Sequence, residues 1–290
     1  QQKGMNDHGR LVGMHSLYAV FITAGAFGAL AWIASLITGD TSWIDRLWSI
    51  VPVVYVWEFA GFAHFSNARL DVMASVVTVW GARLTFNFAR RGGYSGVEDY
   101  RWAVLRARMT GWQFQLFNLF FIVIYQSAIL VLISLPAWTA YENRGTSFNF
   151  LDVLLAVIFL TCTLGETVAD QQQWNFQQGK YAEIAAGRTP QVQFVQTGLF
   201  RFSRHPNYFF DQAQFWVLFL MGTVAATSIF QWTVAGPLLL SALFIGSTRF
   251  TEGITLSKYP EYSLYQARTS PVIPWFAGGP AEPVHVSQAL

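Results

Sequence analysis

Apolar residues in this chain fall in long runs, not in the strict alternation of a half-buried strand or the narrow stripe of a surface helix. A bilayer core of about 30 Å is crossed by ~20 apolar residues in helical form. Seven stretches have that character: 15–38, 47–65, 70–89, 113–136, 150–172, 207–228 and 229–249. The second and third are interrupted, by Glu58 and Arg83. Almost nothing separates the sixth from the seventh, so a tight helical hairpin is expected there. The pattern predicts an all-α, polytopic membrane protein of seven transmembrane helices, forming one domain over residues 1–290.

Composition agrees. Charged residues make up 12% of the chain, where soluble domains carry about 25%. With 12 Trp and 26 Phe, too little polar material is left for a solvated exterior. Disorder is excluded on the same grounds, and a single cysteine, Cys162, excludes a disulfide scaffold. A formal charge of +2 gives no argument for a nucleic-acid partner. The five histidines (His8, His15, His64, His205 and His285) are scattered without ligand spacing, so no metal is expected.

The basic residues orient the spans. With the N-terminus outside, thirteen Lys and Arg lie in inner loops and four (Lys3, Arg10, Arg69 and Arg144) in outer ones. The positive-inside rule therefore predicts N-out and a cytoplasmic C-terminus. The long connections 90–112, 173–206 and 250–290 then all face the cytoplasm, and chemistry fed from that side is expected.

Ionisable groups within spans are costly and mark function by default. Glu58 lies ~16 Å into the membrane at 1.5 Å per residue from Leu47, with Tyr55 one turn away on the same face. That depth suits a general acid; the simpler alternative is a protonated glutamate bonded to a neighbouring helix. Trp80, Arg83, Asn87 and Arg91 share one face of the third span. Arg83 needs an anion, from a ligand or from Glu166 or Asp170. Those two acids sit at i, i+4 near the cytoplasmic end of span five, where like charges repel unless donors or a polar ligand intervene. They suit ribose hydroxyls or an amide; a solvated helix end is the alternative. The densest segment is TGLFRFSRHPNYFFDQ, residues 197–212. Arg201, Arg204 and His205 precede Pro206, a good first helical residue, so a positive helix end beside two arginines forms an anion site. Asn207 and Asp211 follow one turn apart. An interfacial anchor with Tyr208 explains the arginines but not the rest.

These residues carry a resemblance. SRHPNYFFD, preceded by TGLFRF, resembles the C-terminal signature of membrane-embedded steroid 5α-reductases and their bacterial relatives. DRLWSIVPVVYVW (45–57), WGARLTFNFARRGGYSGVEDYRW (80–102) and ETVADQQQWNF (166–176) are similar to further blocks of those relatives, over nearly the whole chain. The resemblance implies seven transmembrane helices in an inner membrane, with NADPH bound from the cytoplasm. It also implies reduction of the Δ4 double bond of a 3-oxosteroid or a related apolar enone that enters from lipid. Residues 15–136 would serve the substrate and 150–276 mainly the cofactor. The family's Gln-Glu pair corresponds to Trp57-Glu58, which gives Glu58 the carbonyl. Its tyrosine, three positions before an arginine, corresponds to Trp80 before Arg83, with Tyr55 as a substitute. Asp170, Asn207 and Asp211 match nucleotide-holding positions. The remaining expected cofactor contacts are Arg83, Asn87, Arg91, Arg101, Glu166, Arg201, Arg204, His205 and Tyr208. Arg-His-Pro-x-Tyr also occurs in isoprenylcysteine and phospholipid methyltransferases, so an S-adenosylmethionine-dependent methyltransferase is the alternative.

Overall fold

The computed structural model describes residues 2–276 and Val284, with backbone alone for 2–13. His285 and the side chains of Lys3, His8 and Arg10 fall outside that description. The described residues are helical and contain no strand. In order they form α1 (Gln2–Thr38), α2 (Trp43–Leu47), α3 (Val51–Phe62), α4 (Ala68–Arg90), α5 (Tyr100–Arg106), α6 (Gly111–Phe117), α7 (Gln126–Glu142), α8 (Phe150–Ala185), α9 (Pro206–Ala226), α10 (Ala235–Lys258) and α11 (Tyr262–Arg268). A π-helix, Asn118–Tyr125, joins α6 to α7.

Among the described residues, six helices are long and apolar enough to cross a membrane: Met14–Thr38, Ala68–Arg90, Gly111–Glu142, Phe150–Ala185, Pro206–Ala226 and Trp232–Lys258. The chain is therefore a membrane protein. The stretch 47–65 differs from expectation. Its helix, α3, has 12 residues, about 18 Å at 1.5 Å per residue. Turn residues 48–50 separate it from α2, and it ends where His64 and Phe65 take positive φ (55° and 52°), which no helix continues through. In the other direction α8 runs 13 residues beyond Gln172, because its glutamine-rich continuation keeps helical form. The hairpin between α9 and α10 is as short as expected, turning at Thr227 (φ 51°).

The chain divides into two compact units. The first comprises Gln1–Leu160 and Phe215–Leu240. Here α3 packs on α1, α4 and α7, and Val56, Phe59, Met73, Val77, Ile129 and Ile133 are fully excluded from solvent. Gly81 permits the approach of α4 to the start of α3: a Cβ there would sit 2.5 Å from the Ser49 carbonyl oxygen. Arg69, expected as an outer-loop charge, is instead buried. Its Nε and Nη2 donate to the two Asp152 oxygens at 2.6 and 2.8 Å, and further donors reach the carbonyls of Thr146 and Ser147. Both side chains are about 1% exposed or less, and the pair ties the start of α4 to the start of α8.

The second unit comprises Thr161–Gln214 and Ser241–Leu290. Phe194, Tyr262 and Tyr265 form one buried aromatic cluster; Ala169, Val195 and Phe200 form another. Burial raises both tyrosine hydroxyls above their ordinary pKa, and the Glu252 charge adds to this at Tyr262. An extended segment, 270–275, is held along the residues that lead into α9. The amides of Arg204 and His205 donate to the Ser270 and Pro271 carbonyls, and the Trp275 amide donates to Phe202. Ser203 Oγ donates to the Val272 carbonyl at 2.7 Å.

Candidate active site

In the first unit, Glu58 projects from an otherwise apolar α3. Its Oε1 accepts from Thr23 Oγ1 at 2.7 Å. Its Oε2 is buried without a hydrogen-bond partner. A buried polar atom left unbonded is unfavourable by roughly 1–3 kcal/mol, so this oxygen is the site's main chemical anomaly. Tyr55, one turn before it, is 1% exposed, and Trp57 Nε1 donates to Thr78 at 2.9 Å. Trp80 is fully buried, edge-on to Phe215 at 4.9 Å. On the same face of α4, Asn87 is buried and Arg83 half-buried, while Arg91 is exposed at the helix end. Asn87 Oδ1 accepts from Arg90 Nε at 2.9 Å.

Arg101 is committed to Asp99, through Nε at 2.9 Å and Nη2 at 2.8 Å. Beside it, Asp45 accepts from Trp102 Nε1 at 2.8 Å. Burial pushes the Asp45 carboxyl up to about 6; the nearby Arg101 charge opposes this without cancelling it, and Asp99 reinforces it.

In the second unit, two polar helix faces meet. Thr163, Glu166 and Asp170 follow i, i+3, i+7 on α8; Asn207, Asp211 and Gln214 follow i, i+4, i+7 on α9. The two helices come close because Gly165 has no side chain: a Cβ there would lie 2.6 Å from the Phe210 ring. Gln214 links the faces, accepting from Thr163 at 2.6 Å and donating to Glu166 at 2.8 Å. Asn207 donates to Asp170 at a long 3.3 Å. Glu166, Asp170 and Asp211 are each at most 6% exposed. The structure thus gathers three buried acids, with the Gln214 and Asn207 amides donating to Glu166 and Asp170.

The turn before α9 is organised by a residue that sequence reasoning passed over. Glu252, on α10, accepts from Arg204 Nε at 2.6 Å, His205 Nε2 at 3.0 Å and Tyr262 OH at 3.2 Å on one oxygen. Its other oxygen accepts from Arg204 Nη2 at 3.0 Å and Gln266 Nε2 at 2.9 Å. Arg204 Nη1 donates to the Gln266 and Thr269 carbonyls. Arg204 and His205 therefore hold the protein's own groups here. His205 stacks on Tyr208 at 5.1 Å, and Tyr208 packs on Phe244 at 4.7 Å. Arg201 is exposed at the end of the preceding 3-10 turn. Thr23, Thr163, Gln214 and Glu252 were all missed. Glu252 lies past the end of the apolar stretch 229–249, beside Thr251 and Arg249, and so carried no such signal, whereas Gln214 lay on the Asn207–Asp211 face.

No solved structure matches the chain. An uncharacterized protein of Schizosaccharomyces pombe is 36% identical over 270 residues, covering 87% of this chain and 77% of that protein. Residues 31–269 match a protein family of unknown function, DUF1295, and that span takes in Glu58, the α8 and α9 faces and Glu252. The chain belongs to the DUF1295 family.

Proposed function

We propose that this protein is a membrane reductase that uses NADPH to reduce the carbon–carbon double bond of an apolar enone, a Δ4-3-oxosteroid or a similar lipid. The observation that carries the reading is the buried, unpartnered Oε2 of Glu58, a hydrogen-bonding atom kept in apolar surroundings. In its protonated form Glu58 donates to the enone carbonyl, where negative charge grows as the double bond is reduced. Thr23 fixes the carboxyl's orientation. Tyr55, buried one turn before it, is its neighbour on the same helix, and Trp80 is the further candidate from α4.

The second unit's donor set fits a nicotinamide dinucleotide. Asp170, Glu166 and Asp211 would accept from ribose hydroxyls and the carboxamide, with the Asn207 amide beside Asp170. When bound, the cofactor would supply a hydride. Arg201, exposed on the turn that leads into α9, is the candidate cation for its phosphates; Arg204 and His205 set the turn. The resemblance of 197–212, 80–102 and 166–176 to steroid 5α-reductases supports the same reading. So does the topology we favour: seven crossings, with α3 and its flanking turns as a short one, N-terminus outside and the cofactor groups cytoplasmic.

A binding screen of the purified protein against NADPH, NADH and S-adenosylmethionine tests this directly. Stabilisation by NADPH that weakens as salt screens its phosphates is the expected result. Stabilisation by S-adenosylmethionine alone would replace the reductase with a methyltransferase.

A further inference from the structure

Five hydrogen bonds converge on Glu252, yet one turn away on the same face of α10 lies its opposite. Thr248 is 4% exposed, and its hydroxyl is buried with no hydrogen-bond partner. Helical threonines ordinarily return the hydroxyl to a carbonyl one turn back. Neighbours in this unit do so: Thr251 to Ser247 at 2.9 Å, Thr255 to Thr251 at 3.0 Å, Thr167 to Thr163 at 2.7 Å. Thr248 does not.

Its surroundings say what the hydroxyl is for. Phe244, Thr248 and Glu252 succeed one another at i, i+4, i+8, along one side of α10. Phe244 touches Tyr208, and Glu252 holds His205 and Arg204. Thr248 is thus fixed from both ends against the first turn of α9, where a positive helix end favours anions. The Arg204 guanidinium there is already held by Glu252, so the Thr248 hydroxyl offers a polar contact that Arg204 does not. A hydroxyl both donates and accepts.

We infer that Thr248 is a direct contact for the bound dinucleotide, its hydroxyl bonding an oxygen of that ligand, and that Glu252 is a positioning residue that holds the α9 turn against it. This rests on the NADPH reading above.

The test measures NADPH binding by the purified full chain and, separately, melting without nucleotide, for wild type, Thr248→Val and Thr248→Ser. Valine keeps the shape and removes the hydroxyl. The expected result is a Kd raised about 3- to 10-fold for Thr248→Val, the range of one net hydrogen bond. Thr248→Ser should stay near wild type, and melting of the valine variant should be unchanged or higher. A valine variant that binds NADPH as wild type does overturns the inference and leaves the reductase reading standing. Wild type that binds no NADPH overturns both. If valine does not yield folded protein, Thr248→Ser against Thr248→Ala gives the same contrast, with equal affinities as the overturning result.

Discussion

Two carboxylates occupy apolar helices in this protein and are treated in opposite ways. Glu252 has both oxygens saturated by Arg204, His205, Tyr262 and Gln266. Glu58 has one partner, Thr23, and one oxygen with none. A buried charge is tolerated when it is paired and fully hydrogen-bonded, so Glu252 builds structure. A carboxyl left half-bonded makes no such contribution, which is the condition expected of a group kept for a ligand. Asp45 is an intermediate case: it has the Trp102 indole and Ser42 hydroxyl as donors and Arg101 nearby, and burial still prevails.

The contrast breaks most visibly at Glu252. Glu252→Ala leaves Arg204 buried without its counter-charge, a change of about 3–5 kcal/mol. Denaturant unfolding in detergent should register it, together with loss of nucleotide binding. Glu58→Gln should do the reverse. Folding and NADPH affinity persist while turnover on an enone falls ~10²–10³-fold, the usual cost of a lost donor to a developing oxyanion. Wild-type turnover in that variant would remove Glu58 from the chemistry. Thr23→Val sharpens the comparison by deleting Glu58's hydrogen-bond partner among the described residues. One buried hydrogen bond is worth about 1 kcal/mol, so turnover should drop roughly tenfold or less, with nucleotide affinity unchanged.

Asp45 gives the gentlest effect. Its folded pKa of about 6 exceeds the ordinary 3.8, so between those values the folded state binds more protons than the unfolded one. Stability from this group is therefore full below pH ~4, is lost as pH rises through about 6, and is flat above. Melting curves across that window should show the slope, and Asp45→Asn should flatten it.

Much of this was legible in the sequence. Apolar run length gave the six long helices, and the cost of an acid in such a run pointed to Glu58. The i, i+4 spacings placed Glu166 with Asp170 and Asn207 with Asp211. Two misread arginines share a physical cause: partners distant in sequence. Arg69 reads as a loop charge until Asp152, 83 residues on, is found against it. Arg204 reads as a phosphate ligand until Glu252, 48 residues on, occupies its guanidinium. The length of α3 was hidden differently, since hydropathy registers composition and not the turns on either side.

The segment 270–275, clipped along the residues that lead into α9, has a consequence for biogenesis. Domains tend to form as the chain emerges from the ribosome, N-terminal parts first. Here the Arg-His-Pro turn is made early, but its backbone partners follow some 65 residues later. The second unit cannot close until synthesis has passed Trp275. Until then the membrane must hold α8, α9 and α10 with Glu252 short of its Tyr262 and Gln266 donors and the α9 turn unclipped, which makes this stretch the natural point for a quality-control machinery to intervene.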